Sequence, residues 1–180
     1  GAAGGVGQAA IEIGKIMGAR VIAVASTEDK LEFCRGLGAD ETLISDAKNL
    51  KDKIKDLTNG QGADMVYDSV GGELSEQALR ATAWEGRYLV IGFASGEIPK
   101  IPLNLPFIKG NQIIGVFWGE FVSRFPEAHG QNMQQILGWF KEGKLKPHIH
   151  QTYPLENTKQ ALEDIAARKV KGKVILSPQD

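Results

Sequence analysis

Gly1-Ala2-Ala3-Gly4-Gly5-Val6-Gly7 runs straight into Gln8-Ala9-Ala10-Ile11-Glu12-Ile13-Gly14-Lys15-Ile16, and the reading of this stretch decides the fold. A glycine-rich turn that opens a helix offers unpaired backbone N–H groups and the positive end of the helix dipole, a combination that suits an anion such as phosphate. Ala2, Gly4 and Gly7 stand at the three positions of a G-x-G-x-x-G pattern, with alanine at the first. Gly4 lets the backbone approach a pyrophosphate and Gly7 permits close packing of helix on strand. Such a turn normally follows a β-strand, and here it stands at residue 1.

Working outward, helix and strand patterns alternate. Ala9, Ile13 and Ile16 lie near helical spacing, and residues 20–25 (RVIAVA) form a short apolar run of the kind buried in a parallel sheet. Thr27 is placed to cap a helix whose inward stripe is Leu31, Cys34 and Leu37 and whose end is Gly38. The rhythm repeats: strand 41–44, an amphipathic helix 49–60 closed by Asn59-Gly60, a buried strand 63–70, a helix 72–84 and a strand 86–93. Pro99, Pro102 and Pro106 punctuate a loop or helical turn before an apolar strand at 111–119. A helix over about 123–142, the segment HIHQTYP at 148–154, a helix at 155–168 and a last strand GKVILS at 172–177 complete the reading.

Strands alternating with helices through short links predict an α/β, Rossmann-type doubly wound parallel sheet. In its usual strand order, 3-2-1-4-5-6, the strand before the glycine turn is the central one. The chain is therefore expected to be one dinucleotide-binding domain over residues 1–180, a fragment that lacks its first, central strand.

Composition narrows the partner classes. The 180 residues carry 21 basic and 22 acidic side chains with 42% hydrophobic residues, a balance that favours a small-molecule ligand over nucleic acid or an anionic membrane. The single cysteine, Cys34, excludes an intrachain disulfide and a multi-cysteine zinc site, and it fits a reducing, cytoplasmic setting. No apolar run is long enough to span a bilayer.

Within a βαβ unit, the residue at the end of the second strand selects the dinucleotide, because an acid there binds the adenosine ribose. Here that position is Ala25, followed by Ser26 and Thr27. With no carboxylate to repel a 2′-phosphate, and with Ser26, Thr27 and Lys30 as donors, the site leans to NADPH.

Six segments in register, AAGGVG, GARVIAVASTEDK, GADETLI, GADMVYDSVGG, GRYLVIGFASG and GKVILSP, resemble the cofactor domain of the medium-chain dehydrogenase/reductases, and within them the zinc-independent, zeta-crystallin-like NADPH:quinone oxidoreductases. The resemblance covers essentially the whole chain. It implies that Ala3, Gly4, Gly5, Val6 and Gly7 lie at the pyrophosphate, and that Ser26, Thr27 and Lys30 lie at the 2′-phosphate, which Arg168 reaches from the far end of the chain. It implies that Ser69, Val70 and Gly71 lie beside the ribose and nicotinamide, with Phe93, Ala94 and Ser95 at the nicotinamide end. One departure concerns Ser45, where related enzymes often carry a tyrosine. The resemblance further implies a preceding GroES-like substrate domain, against which residues 145–180 pack, and a homodimer paired through residues 112–118.

The implied activity is hydride transfer from NADPH to a quinone or enone-like acceptor. An enoyl-thioester reductase uses the same cofactor domain, and a noncatalytic NADPH-binding, crystallin-like or RNA-binding protein is the alternative of another class. The residues assign no catalytic group. Tyr67 and Asp68 end a strand where ligands bind in open α/β sheets, and Asp68 reads as a positioning residue more readily than as an acid. His148 and His150 share one strand face with only His129 as a further histidine, so no metal site is expected, and Cys34 reads as core.

Overall fold

The protein is described by a computed structural model covering residues 1–46 and 48–178. Its elements in chain order are α1 (Gly5–Ile16), β1 (Ile22–Ala25), α2 (Glu28–Gly36), β2 (Glu41–Ile44), α3 (Leu50–Leu57), β3 (Ala63–Asp68), α4 (Glu73–Arg80) and β4 (Thr82–Val90). There follow α5 (Asn104–Lys109), β5 (Gln112–Gly115), α6 (Trp118–Arg124), α7 (Pro126–Lys141), β6 (Ile149–Pro154), a 3₁₀ turn, α8 (Thr158–Ala166) and β7 (Lys173–Ser177). The strands pair in the orders β1-β2, β3-β4-β5 and β6-β7, and the last two sheets are parallel throughout. The first two orders are those of the flanks of a 3-2-1-4-5-6 sheet about its central strand. Among the described residues the strands thus form three ladders and not one. No helix among them is long and apolar enough to cross a membrane.

Two compact units are distinguished, one from Gly1–Thr42 and Trp139–Asp180, the other Leu43–Gly138. In the first, Ala3, Ile11, Ala23, Cys34 and Ala39 form a core of mostly small side chains. The α1 face differs from the predicted Ala9, Ile13 and Ile16: the buried positions are Gly7, Gln8, Ile11 and Glu12. One polar contact holds this face inward, Glu12 Oε1 accepting from the Lys146 N–H at 2.8 Å, and within the helix Gln8 Nε2 donates to Glu12 at 3.4 Å. Thr27 caps α2 as expected, its hydroxyl oxygen accepting from the Lys30 N–H at 3.4 Å. Cys34 is fully buried, and burial pushes its thiol pKa up, as a core cysteine requires.

The second unit packs Leu79, Tyr88 and Leu105 with Val66, Ala78, Val90 and Ile101. The predicted helix 72–84 ends early, at Arg80, and β4 begins at Thr82. Parallel pairing of Thr82 with Ala63 outweighs the helical preference of the alanines, and Lys109 Nζ closes the helix end by donating to the Arg80 and Thr82 carbonyls at 2.7 and 2.5 Å. Strand β3 is half exposed and not buried as predicted, with Met65 and Tyr67 open on one face. The predicted strand 111–119 shortens to Gln112–Gly115, and the helix predicted from about 123 is two helices, because Pro126, which lacks an N–H, starts α7.

Asp68, the last residue of β3, is the polar anchor of this unit. Its Oδ1 accepts from the N–H groups of Val70 and Gly71 at 2.8 and 3.0 Å, and its Oδ2 from the Ser75 hydroxyl at 2.8 Å and from the Tyr88 hydroxyl. Burial alone would raise the Asp68 pKa, but the hydrogen bonds from Tyr88, Gly71, Val70 and Ser75 together outweigh it and hold the carboxyl below its ordinary value. Burial and the bond to Asp68 push the Tyr88 phenol well above its own ordinary value.

A lowered folded-state pKa means that the carboxylate's stabilisation is fully present above the unfolded pKa of about 3.9 and is lost as pH falls through the folded value. Asp68→Asn is therefore expected to lower the melting temperature at neutral pH, with the gap to the wild type closing below about pH 4. Thermal melts across the acid range read this directly, and a gap independent of pH would show that the ionised carboxylate is not the anchor.

Candidate functional site

The glycine turn is fixed by its own backbone. Ala2 N–H donates to the Val24 carbonyl at 3.1 Å, Gly4 N–H to the Gly1 carbonyl at 3.1 Å, and Gly172 N–H to the Ala3 carbonyl at 2.9 Å. A Cβ on Gly7 would lie 2.4 Å from the Gly1 carbonyl oxygen and 2.6 Å from Ala2 Cα, so the turn and helix can meet only at glycine. Ala3 and Gly7 are buried, while Gly4 and Val6 face outward and Gly5 is half-buried. The cap at Gly4 supplies no side-chain acceptor and the first turn of α1 holds no acid. An uncompensated helix N-terminus of this kind suits an external anion.

The predicted 2′-phosphate residues also come together. Ser26 and Thr27 are exposed at the end of β1, beyond the buried Ala25. Lys30 Nζ donates to the Arg168 carbonyl at 2.7 Å, joining positions 138 apart in sequence. Arg168 takes a left-handed backbone, φ 56°, which turns that carbonyl toward the lysine, and its side chain is exposed. An ammonium with three donors keeps two free after one backbone bond. Lys171 Nζ adds a pair with Asp29 at 3.0 Å, tying the same segment to α2. Ser45 is half-buried at the end of β2.

In the other unit, Asp68 shapes the turn through Ser69, Val70 and Gly71. The Ser69 carbonyl accepts from Ala94 N–H at 3.1 Å, and the Val70 carbonyl from Ser95 N–H at 2.9 Å, so the two predicted nicotinamide-end groups are one hydrogen-bonded body. Gly71 has φ +73°, and a Cβ there would lie 2.9 Å from both the Glu97 carbonyl and the Phe93 ring. Phe93, Ala94 and Ser95 are exposed on this body. Asp68 itself is an acceptor on all sides, so it orients the turn and does not supply a proton at neutral pH. Tyr67, on the opposite face of the strand, is exposed, and partial burial pushes its phenol upward.

Sequence reasoning missed three participants: Ser75, Tyr88 and Gly172. A tyrosine inside the apolar run RYLVIG was the one visible signal for Tyr88, since a buried hydroxyl needs a partner. Gly172 pairs with Gly4 as a parallel bridge and has no room for a Cβ, which would lie 2.4 Å from the His148 carbonyl. Among the described residues no three His, Cys, Asp or Glu side chains gather as metal ligands. His148 instead stacks edge-on against Phe33 and His129 against Trp118.

A family model described as zinc-binding dehydrogenase matches residues 5–134. The quinone oxidoreductase-like protein 2 homolog of Nematostella vectensis is 38% identical over 178 residues, covering 98% of this chain and 48% of that protein. Of solved structures, a mycobacterial protein complexed with NADPH superposes with a TM-score of 0.90 at 28% identity, covering 98% of this chain and 54% of that one. An NAD-dependent alcohol dehydrogenase superposes at 0.84 with 38% identity, covering 97% and 48%. The chain spans about half the length of the curated relatives it matches. The metal in the family's description finds no ligand set among the described residues, whereas the glycine turn and the parallel strand orders fit its cofactor half. The chain belongs to the zinc-binding dehydrogenase family, as the cofactor-binding part of a medium-chain dehydrogenase/reductase of the quinone oxidoreductase-like kind.

Proposed function

We propose that the chain binds NADPH and presents it for hydride transfer to a quinone or an activated C=C or C=O acceptor. The observation that carries this reading is the meeting of Lys30 with Arg168 beyond the acid-free end of β1. The Lys30 ammonium beside the exposed Arg168 suits a 2′-phosphate, and a carboxylate suited to a free ribose 2′-hydroxyl is lacking at Ala25. In this reading the N–H groups of Gly5, Val6 and Gly7 hold the pyrophosphate, with Ala3 and Gly4 shaping the turn. Ser26, Thr27, Lys30 and Arg168 hold the 2′-phosphate; Ser69, Val70, Gly71, Phe93, Ala94 and Ser95 receive the nicotinamide end. When bound, NADPH supplies the hydride, and a proton from water completes reduction of the acceptor. The acceptor pocket belongs to a substrate domain against which residues 145–180 pack, a reading supported by the greater length of the relatives.

Titration of the chain with NADPH and NADH, followed by nicotinamide fluorescence and thermal stability, tests the cofactor. NADPH at a hundred times its Kd is expected to stabilise the fold by about 2.7 kcal/mol. Lys30→Ala is expected to weaken NADPH about tenfold or more while changing NADH little, since a charge-assisted hydrogen bond contributes about 1.5–3 kcal/mol. A folded chain that binds neither, or prefers NADH, overturns the reading.

We also propose a homodimer through residues 112–118. Strand β5 lies at the edge of its sheet with Ile113 exposed, and the adjoining Phe117 is 77% exposed. An apolar edge strand invites pairing with its twin. Sedimentation is expected to give twice the chain mass, and Ile113→Lys, which places like charges opposite each other, the single mass. A wild-type mass that stays monomeric at all concentrations overturns the pairing.

A further inference from the structure

Resting on the NADPH reading, we infer that Tyr88 and Ser75 are positioning residues which, acting through the Asp68 carboxylate, hold the turn of Ser69, Val70 and Gly71 in the geometry that receives the nicotinamide half of the cofactor. The three side chains come from three elements: Asp68 from β3, Ser75 from α4 and Tyr88 from β4. Their division of labour is by oxygen atom. Oδ1 of Asp68 grips the turn through the Val70 and Gly71 N–H groups, and Oδ2 is gripped in turn by the two hydroxyls. A carboxylate held on one oxygen only is free to rotate about its Cβ–Cγ bond; held on both, it fixes the direction of the turn.

Packing does not account for these hydroxyls. Tyr88 is 4% exposed and its ring fills the cluster with Leu79 and Leu105, a task that phenylalanine performs equally well. Ser75 is fully buried, and its side chain donates to Asp68 Oδ2. What depends on the two hydroxyls is the carboxylate, and through it the turn. Because the Ser69 and Val70 carbonyls accept from Ala94 and Ser95, a rotation of Asp68 is transmitted to the second loop as well. The effect of losing either hydroxyl therefore falls on the nicotinamide end and leaves the glycine turn and Lys30 untouched.

The experiment compares wild type, Tyr88→Phe, Ser75→Ala and Lys30→Ala for binding of NADPH and of 2′,5′-ADP, a probe that has the 2′-phosphate and adenosine but no nicotinamide. Calorimetry gives both affinities, and nicotinamide fluorescence reports the environment of the ring. For Tyr88→Phe and Ser75→Ala the expected result is 2′,5′-ADP affinity within about twofold of wild type, with NADPH affinity down about fivefold and altered ring emission, as loss of one buried hydrogen bond predicts. Lys30→Ala weakens both ligands. Unchanged NADPH binding and emission in a folded Tyr88→Phe or Ser75→Ala chain overturns the inference, as does a parallel loss of both ligands or a failure of both variants to fold, either of which marks a purely structural role. Wild-type chain that binds neither ligand overturns the NADPH reading itself, and this inference with it.

Discussion

A half-buried carboxylate that must stay ionised is the constraint on which the second unit depends. Taking an acid out of water favours its neutral form, and Asp68 escapes that outcome only because four donors converge on it. Those donors come from the turn that follows β3, from α4 and from β4, so satisfying one charge aligns three elements. Each such bond contributes about 1.5–3 kcal/mol when its partner is charged, and any one left unmade costs a comparable amount. The cooperativity lies in that asymmetry. It also explains why Asp68 is a poor general acid: every position where a proton could sit is already faced by a donor.

The sequence showed this arrangement only in part. The glycine turn, the Thr27 cap, the alanine at the end of β1 and the lysine one turn into α2 were legible because each is a local device whose chemistry lies within a few residues. The meeting of Lys30 with Arg168 was legible only through family resemblance, since no local rule joins positions 138 apart. Tyr88 and Ser75 escaped because their role exists only once β3, α4 and β4 are packed. Element ends failed for a similar reason: Ala81 to Trp84 suit a helix by preference, yet pairing with Ala63 and the Lys109 ammonium on the last carbonyls end α4 at Arg80. The buried face of α1 was misread because periodicity weighs apolar residues, whereas Glu12 accepts from Lys146, far along the chain, and Gln8 bonds Glu12 one turn away on the same face.

Two helices with glycine caps illustrate how a shared device is put to different use. Both α1 and α4 start at a glycine without a side-chain cap. The first turn of α4 carries Glu73 and Glu76, which offset its own dipole, while that of α1 carries no acid. Of these two, α1 alone has neither an acid nor a side-chain cap at its positive end. That difference between the two glycine-capped helices fits the proposed reading of residues 1–7 as an anion-binding turn.

The residues proposed for the two ends of the cofactor, each group within its own unit, rest on different physics. At the glycine turn and Lys30, recognition is by exposed or half-exposed charge, which salt screens over about 8 Å at physiological ionic strength. At Ser69 to Gly71 and Phe93 to Ser95, the proposed recognition is by shape, fixed through hydrogen bonds to a half-buried carboxylate. Charge discriminates a 2′-phosphate from a hydroxyl but tolerates displacement, because a lysine stem is flexible. Hydride transfer tolerates little displacement, since reacting atoms must approach within about 3–3.5 Å. In the proposed reading the flexible means thus serves where identity is read, and the rigid one where geometry matters.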